Sequence, residues 1–214
     1  GVQDILKQLG ITPYLICNNG ANIYTPEGEC IFDERIPQDV VTQILKEIRR
    51  NNLFYSAFQN EFLFHSNEEP VEDFTSRPLF TEIGVDREDD IPSLNKIIVT
   101  NQNPEVLIEL VAILKEKFSH LAEIMLSQAT CLDIAPKNCT KGTGIENLAK
   151  IFNLTPNDFM AFGDGENDLD MLKTVGHPVI MENAQDILKE KFSITTLSNK
   201  EDGVAVYLKD FFNL

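Results

Sequence analysis

The last third of the chain alternates between short apolar runs and amphipathic segments, and this alternation constrains the fold more than any other feature. From Thr140 onward it predicts an opening helix and then three strands, FMAF, HPVIM and SITT, each followed by a helix. Strands that alternate with helices in this way form a parallel sheet covered by helices. The sequence therefore predicts an α/β fold.

The predicted helices of this region carry start and stop signals. Thr143 and Glu146 have the spacing of a capping box, so we expect the opening helix to begin there. Its inward-facing residues are predicted to be Ile145, Leu148, Ala149 and Phe152. The helix ENDLDMLKTV is expected to end at Gly176, and AQDILKEKF and GVAVYLKDFF are predicted to be the last two helices.

The part of the chain before Thr140 has a different pattern of apolar and turn residues. Its apolar runs and turn residues predict a first helix, a buried strand ending at Cys17, hairpins around Pro26 and Asn60, and two amphipathic helices, the second opened by Pro104. The runs KIIVT, AEIMLSQ and CLDIA are predicted strands, which together suggest a small α+β module. Residues 67–92 are acidic and carry no pattern that can be assigned.

Composition excludes several kinds of partner. The 214 residues carry a formal net charge of −16, which argues against binding a nucleic-acid backbone. No apolar run is long enough to span a bilayer and no segment resembles a signal peptide, so we expect a cytoplasmic protein without a membrane partner. The four cysteines lie apart from one another, without a CxxC pair, which favours buried reduced thiols over a zinc or redox site.

A cluster of acidic residues follows the strand FMAF, in the segment GDGENDLD. Ligands of an open parallel sheet bind beyond the carboxyl ends of its strands, which places Asp164 at that edge while Gly165 lets the backbone turn. Asp168 lies four residues after Asp164 and can face the same cavity. Two carboxylates and the Asn167 amide suit Mg²⁺, which takes carboxylates together with waters and a phosphate.

The same acids have a simpler interpretation. Acidic side chains in the first turn of a helix complement the helix dipole, so Glu166 and Asp168 can be capping residues and Asp164 a turn residue. A calcium-binding EF-hand loop is excluded, because its sixth and twelfth positions, counted from Asp164, are Leu169 and Val175 and not Gly and Glu.

Two further positions are candidates for binding a phosphate. Lys141 lies just before a predicted helix N-terminus, where backbone N–H groups favour an anion, although a solvated surface lysine is the simpler interpretation and Lys137 competes for the role. Asn19 follows the first predicted strand. It either belongs to a tight turn with Gly20 or lies at the same sheet edge as Asp164.

Together these segments resemble the haloacid dehalogenase (HAD) superfamily, specifically the Cof-type phosphatases with a type IIB cap. GDGENDLDML resembles the fourth motif of the superfamily and TKG its third, and ICNNGANIY, CLDIAPKNCTKG and VAVYLKDFF are similar to further parts of the family. The resemblance implies a Rossmann-like core over residues 1–35 and 134–214, with an inserted α+β cap over residues 36–133.

The resemblance also implies roles for the metal candidates. Asp164 is expected to bind Mg²⁺ directly, and Asp168 to support the metal from behind. The backbone at Gly165 is expected to approach the waters around the metal.

For the substrate, the resemblance implies a small phosphorylated metabolite. Lys141 is expected to hold the nucleophile and the phosphate by its charge, Asn167 to contact the phosphate, and Asn19 to be a further phosphate-binding residue. The implied activity is Mg²⁺-dependent hydrolysis of a small phosphomonoester, such as a sugar phosphate, a nucleotide or pyridoxal phosphate, through an aspartyl-phosphate. A phosphotransferase or mutase on the same scaffold is a further alternative.

The sequence departs from the superfamily pattern at the nucleophile. Members carry it in a first motif, Asp-x-Asp-Gly-Thr, and a Thr or Ser in a second, and both are expected before Gly1. The one Asp-x-Asp present, Asp168-Leu169-Asp170, lacks the Gly-Thr and belongs to the fourth motif. Because the first aspartate attacks phosphorus, we expect this chain alone to be inactive. The alternative is a non-catalytic metal-binding, phosphate-binding or interaction module.

Overall fold

The computed structural model describes residues 2–66 and 80–214, without the side chains of residues 2–4 and of Ser66. The chain divides into two compact units, Gly1–Cys139 and Thr140–Leu214. The boundaries expected for a core and an inserted cap stay a prediction. None of the helices in the described ranges combines the length and the apolar character that crossing a membrane requires.

The described residues of the first unit form helices and antiparallel strands. Its helices are α1 (Val2–Leu9), α2 (Gln38–Arg50) and α3 (Pro104–Phe118). Its strands are β1 (Leu15–Cys17), β2 (Asn22–Tyr24), β3 (Cys30–Asp33), β4 (Ser56–Gln59), β5 (Phe62–Ser66), β6 (Thr81–Val85), β7 (Lys96–Thr100), β8 (Ala122–Gln128) and β9 (Cys131–Pro136). These elements confirm the predicted hairpins and both amphipathic helices.

The strands of the first unit belong to two sheets. The smaller sheet has the order β1-β2-β3 and is antiparallel, and the larger has the order β6-β5-β4-β7-β9-β8, in which only β5 and β6 run parallel. The apolar faces of α2 and α3 share one core with the larger sheet. Leu107, Leu110, Leu114 and Phe118 are buried as the periodicity of α3 predicts, which shows that helical spacing alone located this face.

Two expectations for the first unit need correction. β1 was predicted to be buried, but all three of its residues are half-exposed. The expectation of buried thiols holds for Cys139, while Cys30 is exposed and Cys17 and Cys131 are intermediate; all four are free thiols. The stretch without an assignable pattern contains β6 and a 3₁₀ turn at Glu88–Asp90, and its positions 67–79 lie outside the described residues.

The second unit alternates strands and helices as predicted. Its elements are α4 (Lys141–Phe152), β10 (Met160–Gly163), α5 (Leu169–Thr174), β11 (His177–Met181), α6 (Asp186–Lys189), β12 (Thr195–Thr196) and α7 (Gly203–Phe212). The strands form a parallel sheet in the order β10-β11-β12. Within the described part of the chain β10 therefore pairs with β11 on one side and with no strand on the other. The sheet confirms the predicted α/β fold.

The start of α4 was predicted three residues too late. The capping residue is Thr140, whose side chain accepts a hydrogen bond from the Thr143 backbone N–H at 3.1 Å, while the Thr143 hydroxyl accepts from the Thr140 N–H at 2.9 Å. Lys141 is therefore the first residue of the helix. Phe152, predicted to face inward, is 42% exposed and lies in the last turn, before Asn153 leaves the helix with φ 53°.

The helix α6 is shorter than the sequence predicted. Its cap, Gln185, has extended backbone with φ −63° and ψ 149°, so the helix starts at Asp186. The reason for the later start lies in the neighbouring loop, because both the backbone N–H and the side chain of Gln185 form hydrogen bonds to residues 164–166. These contacts hold Gln185 outside the helix. The earlier end of the helix, at Lys189, has no such explanation.

Candidate functional site

The carboxyl end of the parallel sheet places Asp164 in the open. β10 ends at Gly163, and Asp164 is the next residue, with an exposed side chain. Because β11 runs parallel to β10, the turn after Met181 lies at the same end of the sheet. This is the edge at which open α/β sheets bind ligands.

Asp168 is the organising side chain of the loop. It is 6% exposed, and its Oδ2 accepts hydrogen bonds from the backbone N–H groups of Asp164 and Gly165 at 3.0 and 3.1 Å. Its Oδ1 lies 2.5 Å from Nζ of Lys141. Both oxygens are therefore engaged within the unit, and the ammonium group compensates the buried negative charge.

Two glycines lie against side chains of this loop, and one of them lets Asp168 come this close. A Cβ atom at Gly163 would lie 2.7 Å from Cβ of Asp168, a distance that real side chains essentially never adopt. At Gly165 a Cβ atom would meet Oδ1 of Asn167 at 2.8 Å, and this atom is the end of a side chain that can move. Gly163 is thus required by the position of Asp168, whereas a side chain at Gly165 would displace the Asn167 amide.

Asp164 is held by the turn that follows β11. Nδ2 of Asn183 donates to Oδ2 of Asp164 at 2.9 Å, and the Gln185 N–H donates to the Asp164 carbonyl at 2.9 Å. Oε1 of Gln185 accepts from the Glu166 N–H at 2.8 Å. Sequence reasoning missed Asn183 and Gln185. The available signal was that polar residues directly follow a strand parallel to the one that ends at Asp164.

The donor set available to a metal consists of hard oxygen atoms. Among the described residues no group donates to Oδ1 of Asp164, and no three His, Cys, Asp or Glu side chains converge in a metal-binding arrangement. Asp168 lies behind Asp164 with its oxygens already paired. One free oxygen on an exposed carboxylate fits Mg²⁺, which binds through one or two carboxylates and keeps several waters.

The helix α4 presents Lys141 to the same loop. As the first residue of the helix it lies where unpaired N–H groups favour negative charge. Its side chain remains 35% exposed although Nζ contacts Asp168, so the side chain is not enclosed by the protein. The competing candidate, Lys137, belongs to the first unit and pairs with Glu123 at 2.9 Å. The structure therefore brings Lys141 to the Asp164 loop and gives Lys137 another partner.

Asn167 lies in the 3₁₀ turn Glu166–Asp168 between the strand β10 and the helix α5. Its side chain is half-buried, with Oδ1 next to the backbone of Gly165.

The interpretation of the acids as residues that only serve the local backbone applies to one of the two aspartates and not to the other. Asp168 does serve the local backbone, as a capping residue would, whereas the Asp164 carboxylate accepts no backbone hydrogen bond among the described residues.

Asn19 lies in the first unit and occupies a tight turn. Its φ of 55° is left-handed, as are those of its two neighbours, Asn18 at 51° and Gly20 at 93°. Its amide donates to Oδ2 of Asp133 at 3.2 Å, and this carboxylate, 3% exposed, also pairs with Lys96 at 2.7 Å. The turn interpretation thus describes the local backbone, and the phosphate-binding role of Asn19 stays a prediction.

Comparison with known proteins adds an independent view of the whole chain. The family model for haloacid dehalogenase-like hydrolases matches residues 1–208. The HMP-PP phosphatase of Yersinia pseudotuberculosis is 29% identical over 213 residues, which cover 97% of this chain and 77% of that protein. A Haemophilus influenzae protein, which carries phosphatase as a provisional name, is 31% identical over 214 residues, which cover 99% of this chain and 81% of that protein.

A solved structure shares the fold. The HAD subclass IIB sugar phosphatase aligns with a TM-score of 0.80 and 21% identity, covering 99% of this chain and 80% of that chain. The resemblance predicted from GDGENDLDML and TKG is thereby confirmed.

Proposed function

Because the chain belongs to the haloacid dehalogenase-like hydrolase family, we propose that it contributes the metal and phosphate site of a Mg²⁺-dependent phosphatase that acts on small phosphomonoesters. The observation that carries the proposal is the arrangement around Asp168. This buried carboxylate ties Lys141 to the backbone of the loop that presents Asp164. A cationic and an anionic group are thus held side by side at one sheet edge.

Each residue of this arrangement has a distinct task in the proposed reaction. Oδ1 of Asp164 is the free ligand atom for Mg²⁺, and Asp168 fixes the loop from behind. The metal, when bound, neutralises charge on the phosphate oxygens. The ammonium group of the partly exposed Lys141 side chain adds a second positive charge for the phosphate, and the Asn167 amide supplies a hydrogen bond to it.

The proposed substrate is a small phosphorylated metabolite. Relatives of the chain are named for such activities, one as an HMP-PP phosphatase and one as a sugar phosphatase. The proposed domain arrangement is a core over residues 1–35 and 134–214 and a cap over residues 36–133. In that arrangement the cap supplies the residues that select the substrate.

The proposed chemistry needs a nucleophile that these residues do not provide. Hydrolysis through an aspartyl-phosphate requires an aspartate at the phosphorus atom, and the motif Asp-x-Asp-Gly-Thr does not occur in the 214 residues. We therefore propose that the chain by itself binds Mg²⁺ and phosphate without turning over a phosphate ester.

The first test is calorimetric titration of the full chain with Mg²⁺, and then with inorganic phosphate at saturating Mg²⁺. Binding of both is expected, and Asp164→Asn is expected to weaken Mg²⁺ binding by at least about tenfold. The matched control is Asp158→Asn, because Asp158 is an exposed carboxylate just before β10, at the opposite end of the strand from Asp164. Equal effects of the two substitutions, or no Mg²⁺ binding, would contradict the proposed site and favour a non-catalytic interaction module.

The second test is hydrolysis of an aryl phosphate by the same preparation with Mg²⁺. No turnover is expected. Turnover that is abolished by Asp164→Asn would support phosphatase chemistry and show that another aspartate of the chain attacks phosphorus.

A further inference from the structure

The geometry points to Asn183 as a positioning residue that decides which oxygen of Asp164 faces the metal. This inference rests on the proposed function, because it assigns a task relative to the Mg²⁺ that Asp164 is proposed to bind. Neither the resemblance nor the sequence pattern singled out Asn183. Its contacts in the structure single it out.

The orientation of the Asn183 amide is fixed by a backbone group. Oδ1 of Asn183 accepts a hydrogen bond from the backbone N–H of Asn199 at 3.0 Å. A backbone N–H can only donate, so the atom facing it must be the amide oxygen. The amide nitrogen therefore faces Asp164, where Nδ2 lies 2.9 Å from Oδ2.

The remaining polar groups of Asp164 are also engaged. Its N–H donates to Oδ2 of Asp168 at 3.0 Å, and its carbonyl accepts from the N–H of Gln185 at 2.9 Å. With Oδ2 accepting from Asn183, only Oδ1 is left without a donor among the described residues. Asn183 thus sets the rotation of the carboxylate, while Asp168 and Gln185 set the position of its backbone.

This arrangement carries a prediction about metal selectivity. Mg²⁺ demands near-ideal octahedral geometry at about 2.0–2.1 Å, whereas Ca²⁺ tolerates a flexible ligand set at about 2.3–2.6 Å. A carboxylate free to rotate can still bind Ca²⁺ but presents a poorer ligand to Mg²⁺. Loss of Asn183 should therefore lower the affinity for Mg²⁺ more than the affinity for Ca²⁺.

The experiment compares Asn183→Leu with the wild-type chain by calorimetric titration with Mg²⁺ and with Ca²⁺. The expected result is a loss of about 10- to 100-fold in Mg²⁺ affinity, the range for partners that orient a metal ligand, with a smaller loss for Ca²⁺. Asn183→Ser retains a donor group and should recover part of the Mg²⁺ affinity. The matched control is Asn147→Leu, because the Asn147 side chain faces Lys150 on α4 at 3.5 Å.

Two outcomes of these titrations would overturn the inference. One is unchanged Mg²⁺ affinity in Asn183→Leu. The other is an equal loss for both metals together with a lower midpoint of thermal unfolding, which indicates a structural role only.

A metal-free measurement separates this inference from the proposed function. The side-chain amide resonances of Asn183 should shift in Asp164→Asn, because their acceptor changes from a carboxylate to an amide. Unchanged resonances would overturn the Asn183 contact itself. If the wild-type chain binds no Mg²⁺ while these resonances do shift, the contact stands and the positioning role falls with the proposed function.

Discussion

Asp168 and Lys141 form a pair whose two members are exposed to very different degrees. The carboxylate is buried, while the lysine side chain remains 35% exposed, so removing the lysine leaves a buried charge with backbone donors alone. Removing a partner from a buried charge costs more than a solvent-exposed pair contributes. Substitution of each lysine should therefore distinguish the two candidates, Lys141 and Lys137.

We expect Lys141→Met to lower the free energy of unfolding by about 1–3 kcal/mol and to abolish phosphate binding. The control is Lys137→Met, whose pair with Glu123 at 2.9 Å is partly exposed on both sides and is expected to contribute about 0–1 kcal/mol. Urea unfolding and phosphate titration of both variants provide the measurement. Phosphate binding that survives in Lys141→Met but not in Lys137→Met would reverse the assignment.

A second residue-scale prediction concerns acid stability. Burial by itself raises the pKa of Asp33, but hydrogen bonds from Arg35 and Asn95 outweigh it and hold the pKa below its ordinary value. A carboxyl group with a depressed pKa in the folded state stabilises the protein above its unfolded pKa, and this contribution is lost as the pH falls through the folded pKa.

The free energy of unfolding of the wild-type chain should therefore decrease as the pH falls below about 4, and Asp33→Asn should remove part of this decrease. The variant should also be less stable at pH 7, because Asp33 accepts from the buried amides of Asn22 and Asn95. Urea unfolding of both proteins at pH 7 and pH 3 provides the check. Parallel pH profiles for the two proteins would refute this role of Asp33.

Individual residues also show which parts of the candidate site could be predicted from the sequence and which could not. Asp164, Asp168, Asn167 and Lys141 were predicted because they lie in two short motifs. Asn183 contacts Asp164 across 19 residues of chain, and such a contact depends on the pairing of β10 with β11. No single short motif encodes it, because the signal lies in the pairing of two strands.

At the scale of elements, the capping of α4 determines where Lys141 lies relative to the N-terminus of the helix. Two threonines lie close together, and both have the chemistry of a cap, so sequence could not decide between Thr140 and Thr143. The structure uses both, with Thr140 as the capping residue and Thr143 in the first turn. A start three residues earlier makes Lys141 a helix residue, next to the N–H groups that favour an anion. The existence of the helix was predictable, and its first residue was not.

Thr140→Ala should lower the free energy of unfolding by about 0.5–2 kcal/mol and also weaken phosphate binding, because the first turn of α4 carries Lys141. The matched control is Asn103→Ala, which removes the cap of α3, where the side chain accepts from the Glu105 N–H at 3.1 Å. It should cost a similar free energy and leave phosphate binding unchanged. Stability is measured by urea unfolding and binding by calorimetry. If both variants changed phosphate binding equally, the start of α4 would have no specific role in the site.

At the scale of the whole molecule, the net charge of −16 acts on any charged ligand. The long-range field attracts Mg²⁺ and repels phosphate, although Lys141 and a Mg²⁺ ion bound as proposed are positive at the site itself. Salt screens long-range electrostatic interactions with a Debye length of about 10 Å at 0.1 M. Added salt should therefore weaken the attraction of Mg²⁺ and reduce the repulsion of phosphate.

Raising NaCl from about 20 to about 200 mM should therefore lower the affinity for Mg²⁺ and raise the affinity for inorganic phosphate at saturating Mg²⁺. Calorimetric titrations at several salt concentrations measure both slopes. A phosphate affinity that falls with salt would mean that the local positive charges, and not the net charge, govern the approach of the anion.

The overall fold class was the most predictable property of the chain, because strand and helix periods repeat over many residues. The alternation after Thr140 fixed a parallel sheet, and helical spacing located the buried face of α3. The start of α6 was not predictable, since Gln185 is held outside the helix by hydrogen bonds to another loop. Errors of this kind occur where tertiary contacts compete with local preference.

The position of β10 in the sheet has a consequence for exchange of its backbone hydrogens with solvent. The carbonyl of Phe159 accepts from the N–H of His177, so residues 161 and 163 also face β11, and the N–H groups of Met160 and Phe162 point to the other side. Their deuterium uptake should be faster than that of Ala161. Any strand that added to this side would slow these two amides selectively, and so report its arrival in the strand that leads to Asp164.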